Sequence, residues 1–143
     1  MTIRTVAEQD WFRVGELSEL LVRMHYELDN SRFVHPDTLR SHDYVARVRD
    51  EIGRGVAMVH VADDDGRVIG YVFAGIEPES WKELRHEAGY IHDVVVDPAF
   101  RGIGTGRALI ASALDWLSAR GIATSYPRSF HSVIPPIIER TRA

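Results

Sequence analysis

The chain has 143 residues, 45% apolar and 27% charged, which suits one soluble globular domain with a real core and leaves too little for two ordinary ones. Its formal net charge is −4 with no run of Lys or Arg, which argues against nucleic acid or an anionic membrane as the main partner. Zero cysteines exclude disulfides, a cysteine nucleophile and thiolate metal sites together. Met1–Val6 lacks the apolar core of a signal peptide and no run approaches the roughly 20 apolar residues of a membrane span, so a cytoplasmic location is expected.

Thr2 to Val6, short and β-branched, reads as a first strand. From about Gln9 to Leu28, Val14, Leu17, Leu20, Leu21, Met24 and Leu28 recur at three and four, one face of a helix. His35-Pro36-Asp37 reads as the start of a second helix, with proline at its first position, Leu39, Val45, Val48 and Ile52 as its stripe, and Gly53 as its stop. Gly55 to Ala62 and Arg67 to Ile76 are strand-like and joined by Asp63-Asp64-Asp65-Gly66. That turn lacks the spacing and terminal glutamate of a calcium loop, so it reads as a solvated hairpin. Glu77 to Gly89 is polar, with Trp81 and Leu84 as anchors of a loop or short helix. Thr105 to Arg120 is a helix with a broad apolar face capped by Gly121, and Ile122 to Tyr126 begins another strand.

Between those last elements lies the run that organises the chain. Val94-Val95-Val96 is a buried strand ended by Asp97-Pro98, and Arg101-Gly102-Ile103-Gly104-Thr105-Gly106 is a glycine loop opening directly into a helix. Glycines let the backbone approach a ligand closely, the first N–H groups of a helix form an anion site, and an arginine supplies a bidentate donor for phosphate oxygens. The P-loop pattern fails for want of a Lys-Ser or Lys-Thr pair. The dinucleotide fingerprint fails because Arg107 stands where its third glycine belongs. The loop does fit Gln/Arg-x-x-Gly-x-Gly/Ala. With the strand Tyr90 to Pro98 before it, the chain resembles the GNAT N-acetyltransferase superfamily, whose signature loop cradles the pyrophosphate of acetyl-CoA.

The resemblance runs through about residue 126, within a single domain spanning 1–143. It implies an α/β fold, a mixed, twisted β-sheet with helices on both faces. The strand holding Val94 to Val96 would splay from the strand beginning at Ile122, and the acetyl-pantetheine arm would lie in that wedge like an added strand. The implied activity is transfer of the acetyl group from acetyl-CoA, a cosubstrate, to a primary amine of a small-molecule or peptide acceptor. Arg101, Gly102, Ile103, Gly104, Thr105 and Gly106 would form the cradle, Val94 to Val96 would hold the arm, and a backbone N–H of Val95 or Val94 would stabilise the oxyanion.

His92 and Asp93 stand where the family places a carboxylate. An imidazole of ordinary pKa near 6.5 suits a base acting through water, and a carboxylate suits recognition of a cationic amine or, with a raised pKa, a base. Strand alternation sends the two side chains to opposite faces. His60 reads as structural or surface, and His25, Tyr26, Phe33 and His35 fall in the region that shapes the acceptor pocket in the family. No His/His or His/Glu pair at helical spacing suggests a metal site.

The tail departs from the family. Pro135-Pro136 would break the helix that is usual there, and seventeen residues after Tyr126 are too few for that helix and a closing hairpin, so 127–143 is an atypical tail with the C-terminal helix-strand portion missing or altered. Three arrangements fit: a truncation or frame change, completion by a partner subunit, or a divergent short member. The first two predict a homodimer or poor stability. The tail also suggests a different class of function, an acyl-CoA-binding or catalytically impaired structural remnant of the same fold.

Overall fold

The computed structural model describes residues 1–36 and 40–122. The elements are β1 (Thr2–Thr5), α1 (Trp11–Leu28), α2 (Ser41–Gly53), β2 (Ala57–Asp64), β3 (Arg67–Glu77), β4 (Ala88–Val96) and α3 (Thr105–Ala119). Single 3₁₀ turns at Glu8–Asp10 and Pro98–Phe100 precede α1 and succeed β4. The strands form one sheet in the order β1-β2-β3-β4, every neighbour antiparallel. The expected sheet is mixed, with a further strand beginning at Ile122. That strand, the wedge beside it and the atypical tail lie outside the described residues, as do Asp37 and Leu39.

Helices cover both faces, as expected. On one face α1 and α2 bring Val14, Leu17, Leu21 and Val48 onto Val59, Val61, Tyr71 and Phe73. On the other, Leu109, Ile110 and Ala113 of α3 meet Ile69, Val72, Ile91 and Val94. The central strand β3 is therefore buried on both sides from Val68 to Gly75, which is why its sequence is a continuous apolar run without alternation. Each large side chain fully buried there contributes roughly 1.5–3 kcal/mol relative to exposure.

Two arginines tie the layers together. Arg4 forks onto the buried Asp10 at 2.7 and 3.1 Å and reaches Asp63 at 3.1 Å, joining β1, the turn before α1 and the end of β2. Arg13 of α1 donates to the Val68 carbonyl at 3.0 Å and pairs with Asp97, so the first helix grips the end of β4.

Several boundaries differ from the sequence reading. α2 begins at Ser41, directly after Arg40, whose backbone is extended (ψ 146°). The segment between β3 and β4 is a loop pinned by a single bridge between Ser80 and Arg85. At the hairpin, Asp65 and Gly66 both sit at positive φ, and Asp63 Oδ1 accepts from the Gly66 N–H at 2.7 Å, as a tight solvated turn requires. His60 is structural: its ring, on the α3 side, meets the Ser112 hydroxyl at 3.1 Å, and burial pushes its pKa down. Among the described residues no helix is long and apolar enough to cross a membrane, and no group of His, Asp and Glu has the makings of a metal site.

Candidate active site

Asp97 closes β4 and shapes the turn after it. Its carboxylate caps the 3₁₀ turn by accepting from the Ala99 N–H at 2.9 Å, and this bond, then Arg13, holds its pKa below the usual carboxylate range. The chain then turns through Gly102 and Gly104, both at φ 87°, a left-handed conformation that other residues enter only with strain. Among the described residues, nothing beyond the adjoining residues lies within 4 Å of where a Cβ would stand at either glycine, so the loop presents bare backbone there. Gly104 is the N-cap of α3, whose first-turn N–H groups have no intrahelical acceptor. Arg101 is exposed at the rim; its Nε donates to the Val96 carbonyl at 3.4 Å, and its terminal nitrogens make no hydrogen bond or ion pair among the described residues. Thr105 is buried, its hydroxyl turned inward onto the Met1 sulfur at 3.3 Å, so it has only backbone to offer a ligand.

The ladder between β3 and β4 decides which backbone groups of β4 turn away from β3. The Asp97 N–H donates to the Ile69 carbonyl at 2.7 Å, and hydrogen-bonded and open pairs alternate from there. Val95, opposite Tyr71, therefore turns its N–H and C=O toward β3, whereas Val94 and Val96 turn theirs to the outer edge. Two contacts agree: a Cβ on Gly70 would stand 2.7 Å from the Val95 oxygen, and Arg101 reaches the outward Val96 oxygen. Of the two expected oxyanion donors, Val94 has its N–H turned away from β3, to the outer edge. Val95 has its own committed to the sheet.

His92 and Asp93 do not alternate. Phe73 faces Asp93, but Ala74 faces Ile91, so His92 is the extra residue of a β-bulge. A bulge places two successive side chains on the same side of the sheet. Here both point toward the face covered by α1 and α2. The His92 ring tilts against Phe73 with centroids 4.7 Å apart and stacks parallel to Tyr90. Its Nε2 would lie 3.1 Å from a Cβ on Gly75, so a glycine there gives the ring its place. Nε2 also stands 3.5 Å from Glu77 Oε1.

Asp93 Oδ2 accepts from the Tyr44 hydroxyl of α2 at 2.8 Å, and Tyr44 in turn accepts from Tyr71 at 3.0 Å. Burial pushes the Asp93 pKa up, against the opposing pulls of the Tyr44 bond and the charges of His92 and His25. Burial also pushes both phenols up, which keeps them protonated donors. His25 is held at the end of α1 by the Leu21 carbonyl at 2.8 Å and by the edge of Phe33, and Tyr26 meets His35 edge-on.

Beside His92 opens a groove of about 270 Å³ between the end of α2, the end of β3 and the start of β4. Glu51, Glu77 and Glu87 line it, with Arg54 as the cation, and Arg54 is drawn to Asp50 at 3.3 Å. The sequence reading missed Tyr44, Tyr71 and Glu77. Tyr44 did carry a signal: it precedes Val48 and Ile52 at intervals of four on one helix face, and an inward phenol must find a polar partner.

Residues 14–127 match the model of the acetyltransferase (GNAT) family. The chain is 37% identical over 86 residues to the L-2,4-diaminobutyric acid acetyltransferase of Nocardia farcinica, covering 60% of this chain and 40% of that protein. It is 31% identical over 120 residues to an uncharacterised N-acetyltransferase of Methanocaldococcus jannaschii, covering 84% of this chain and 49% of the other. It thus spans about half the length, or less, of these relatives. Its fold is similar to that of an aminoglycoside N-acetyltransferase solved in complex with CoA, with a TM-score of 0.71 at 17% identity over 98% of this chain and 85% of the other.

Proposed function

The chain belongs to the acetyltransferase (GNAT) family, and from that premise we propose that it transfers the acetyl group of acetyl-CoA to the primary amine of a small cationic acceptor. The observation that carries this reading is the bulge at His92. It sets an imidazole and a carboxyl on one face of β4, next to the outward N–H of Val94 and in line with the open glycine loop.

The residues present suit the cosubstrate. The backbone of Gly102 to Gly106 and the start of α3 would cradle its pyrophosphate, Arg101 would add a cation at the rim, and the outward backbone of Val94 and Val96 would hold the pantetheine arm. When bound, acetyl-CoA supplies an activated thioester. The acceptor ammonium would enter the groove among Glu51, Glu77 and Glu87, a lining that favours cations and repels phosphorylated amines. Asp93 would take its proton, with His92, flanked by Glu77, holding the nitrogen in line. Attack would form the new N–C bond and give a tetrahedral intermediate; its collapse would break the C–S bond, and the second proton lost by the nitrogen would pass to the departing thiolate to give the thiol. The Val94 N–H would stabilise the oxyanion between these events.

The diaminobutyrate enzyme of Nocardia farcinica, by its name, acts on a small diamino acid, which accords with a groove of this size. A cytoplasmic setting and a homodimer belong to the same proposal, the latter to be sought by mass measurement. The test is CoA-thiol release with diamines, diamino acids, amino sugars and peptide N-termini. Release with small cationic amines, and little with phosphorylated ones, is expected. Acetyl-CoA binding without release for any amine would replace this reading with that of a binding remnant.

A further inference from the structure

We infer that Tyr44, backed by Tyr71, is a positioning residue that prepares Asp93 for proton transfer; this rests on the role of Asp93 proposed above. Tyr71 is fully buried, so its hydroxyl has no water to bond and must find a protein partner. Its partner among the described residues is the Tyr44 hydroxyl at 3.0 Å, and Tyr44 then donates to Asp93 Oδ2 at 2.8 Å. Both hydrogens point the same way, toward the carboxylate, so the chain is polarised to stabilise its ionised form.

The three residues sit on α2, β3 and β4, and the Tyr44 ring is fixed edge-on against Phe73. Oδ2 is thereby occupied. Oδ1 has no hydrogen-bond partner among the described residues, and Asp93 is only partly buried, which leaves that oxygen to the substrate. The groups that face Asp93 are His92 on its own strand, His25 from α1, Tyr44 from α2 and Tyr71 from β3. Burial outweighs the two histidines and Tyr44 in setting the direction. Without the tyrosine pair the carboxyl would stay protonated to higher pH and its free oxygen would lose its aim.

Carbon-detected NMR titration of the Asp93 carboxyl, assigned with Asp93→Asn, tests this directly in the wild type, Tyr44→Phe and Tyr71→Phe. The Asp93 midpoint should move to higher pH in Tyr44→Phe and by less in Tyr71→Phe. The acid limb of the kcat/KM profile should move with it, with roughly tenfold lower kcat/KM below the limb, the loss of one hydrogen bond to a charged group. The alkaline plateau and KM for acetyl-CoA should hold. If Tyr44→Phe does not fold because Tyr71 is left without a partner, the Tyr44→Phe/Tyr71→Phe double variant carries the same test. An unmoved Asp93 midpoint in a folded variant overturns the inference. Undiminished turnover by Asp93→Asn would instead overturn the assignment of Asp93 as base, and the NMR midpoint distinguishes the two failures.

Discussion

The glycine loop after β4 and the bulge within it are close neighbours in sequence, yet they are built on opposite principles. The loop offers backbone: two glycines at φ 87°, a helix start without intrahelical acceptors and the exposed Arg101, all from a single short segment. The bulge offers side chains whose placement depends on β3, α2 and α1, elements distant in sequence: Tyr44 and Asp93 are 49 residues apart. A backbone site tolerates change in everything but its conformation. A side-chain site is sensitive to each partner's identity, and the two should separate cleanly under mutation.

The largest effect should come from the bulge. Asp93→Asn removes the proposed proton acceptor and should lower kcat by about 10²–10⁴-fold, read in steady-state thiol release. The same change should stabilise the protein near neutral pH by about 1 kcal/mol, read as a rise in Tm, because a carboxyl whose pKa is raised by burial gives stability at low pH that is lost as pH rises through that pKa. A gain of stability with a loss of turnover is the mark of a strained functional group, and a structural aspartate would show the reverse.

Next in size is the loop conformation. Gly104→Val forces a β-branched residue into the left-handed region at the N-cap of α3, a strain of about 1–3 kcal/mol. Acetyl-CoA affinity should fall at least tenfold in a calorimetric titration. Arg101→Ala, which leaves the backbone intact, should weaken acetyl-CoA by about tenfold while kcat at saturation stays near wild type. The smallest effect concerns the frame. Asp10, through Arg4, and Asp97, through Ala99 and Arg13, have lowered pKa values, so their contributions are present above the ordinary carboxylate pKa and are lost as pH falls through the folded values. Acid unfolding monitored by circular dichroism should therefore begin below about pH 4, and Asp10→Asn should flatten that limb.

The same contrast explains what could be read from the sequence. The strand, glycine loop and helix from Val94 to Ala119 were legible because their signals are local: an apolar run, Asp-Pro, glycines at required positive φ and a helical stripe. The Asp65-Gly66 hairpin was legible for the same reason. The bulge was not, since alternation is a rule of single strands and the extra residue at His92 exists only relative to the register of β3. Nor could Val94 and Val95 be told apart as donors without the phase of that ladder. Nor does anything in Arg40 itself hint at its extended backbone directly before α2.

The most direct test of the central claim is a calorimetric titration of acetyl-CoA into the wild type, Arg101→Ala and Asp93→Asn, side by side. The division between a backbone cradle and a side-chain site predicts saturable binding by the wild type, about tenfold weaker binding by Arg101→Ala, and wild-type affinity in Asp93→Asn. Absent binding by the folded wild type, or affinity lost in Asp93→Asn and kept in Arg101→Ala, would contradict it.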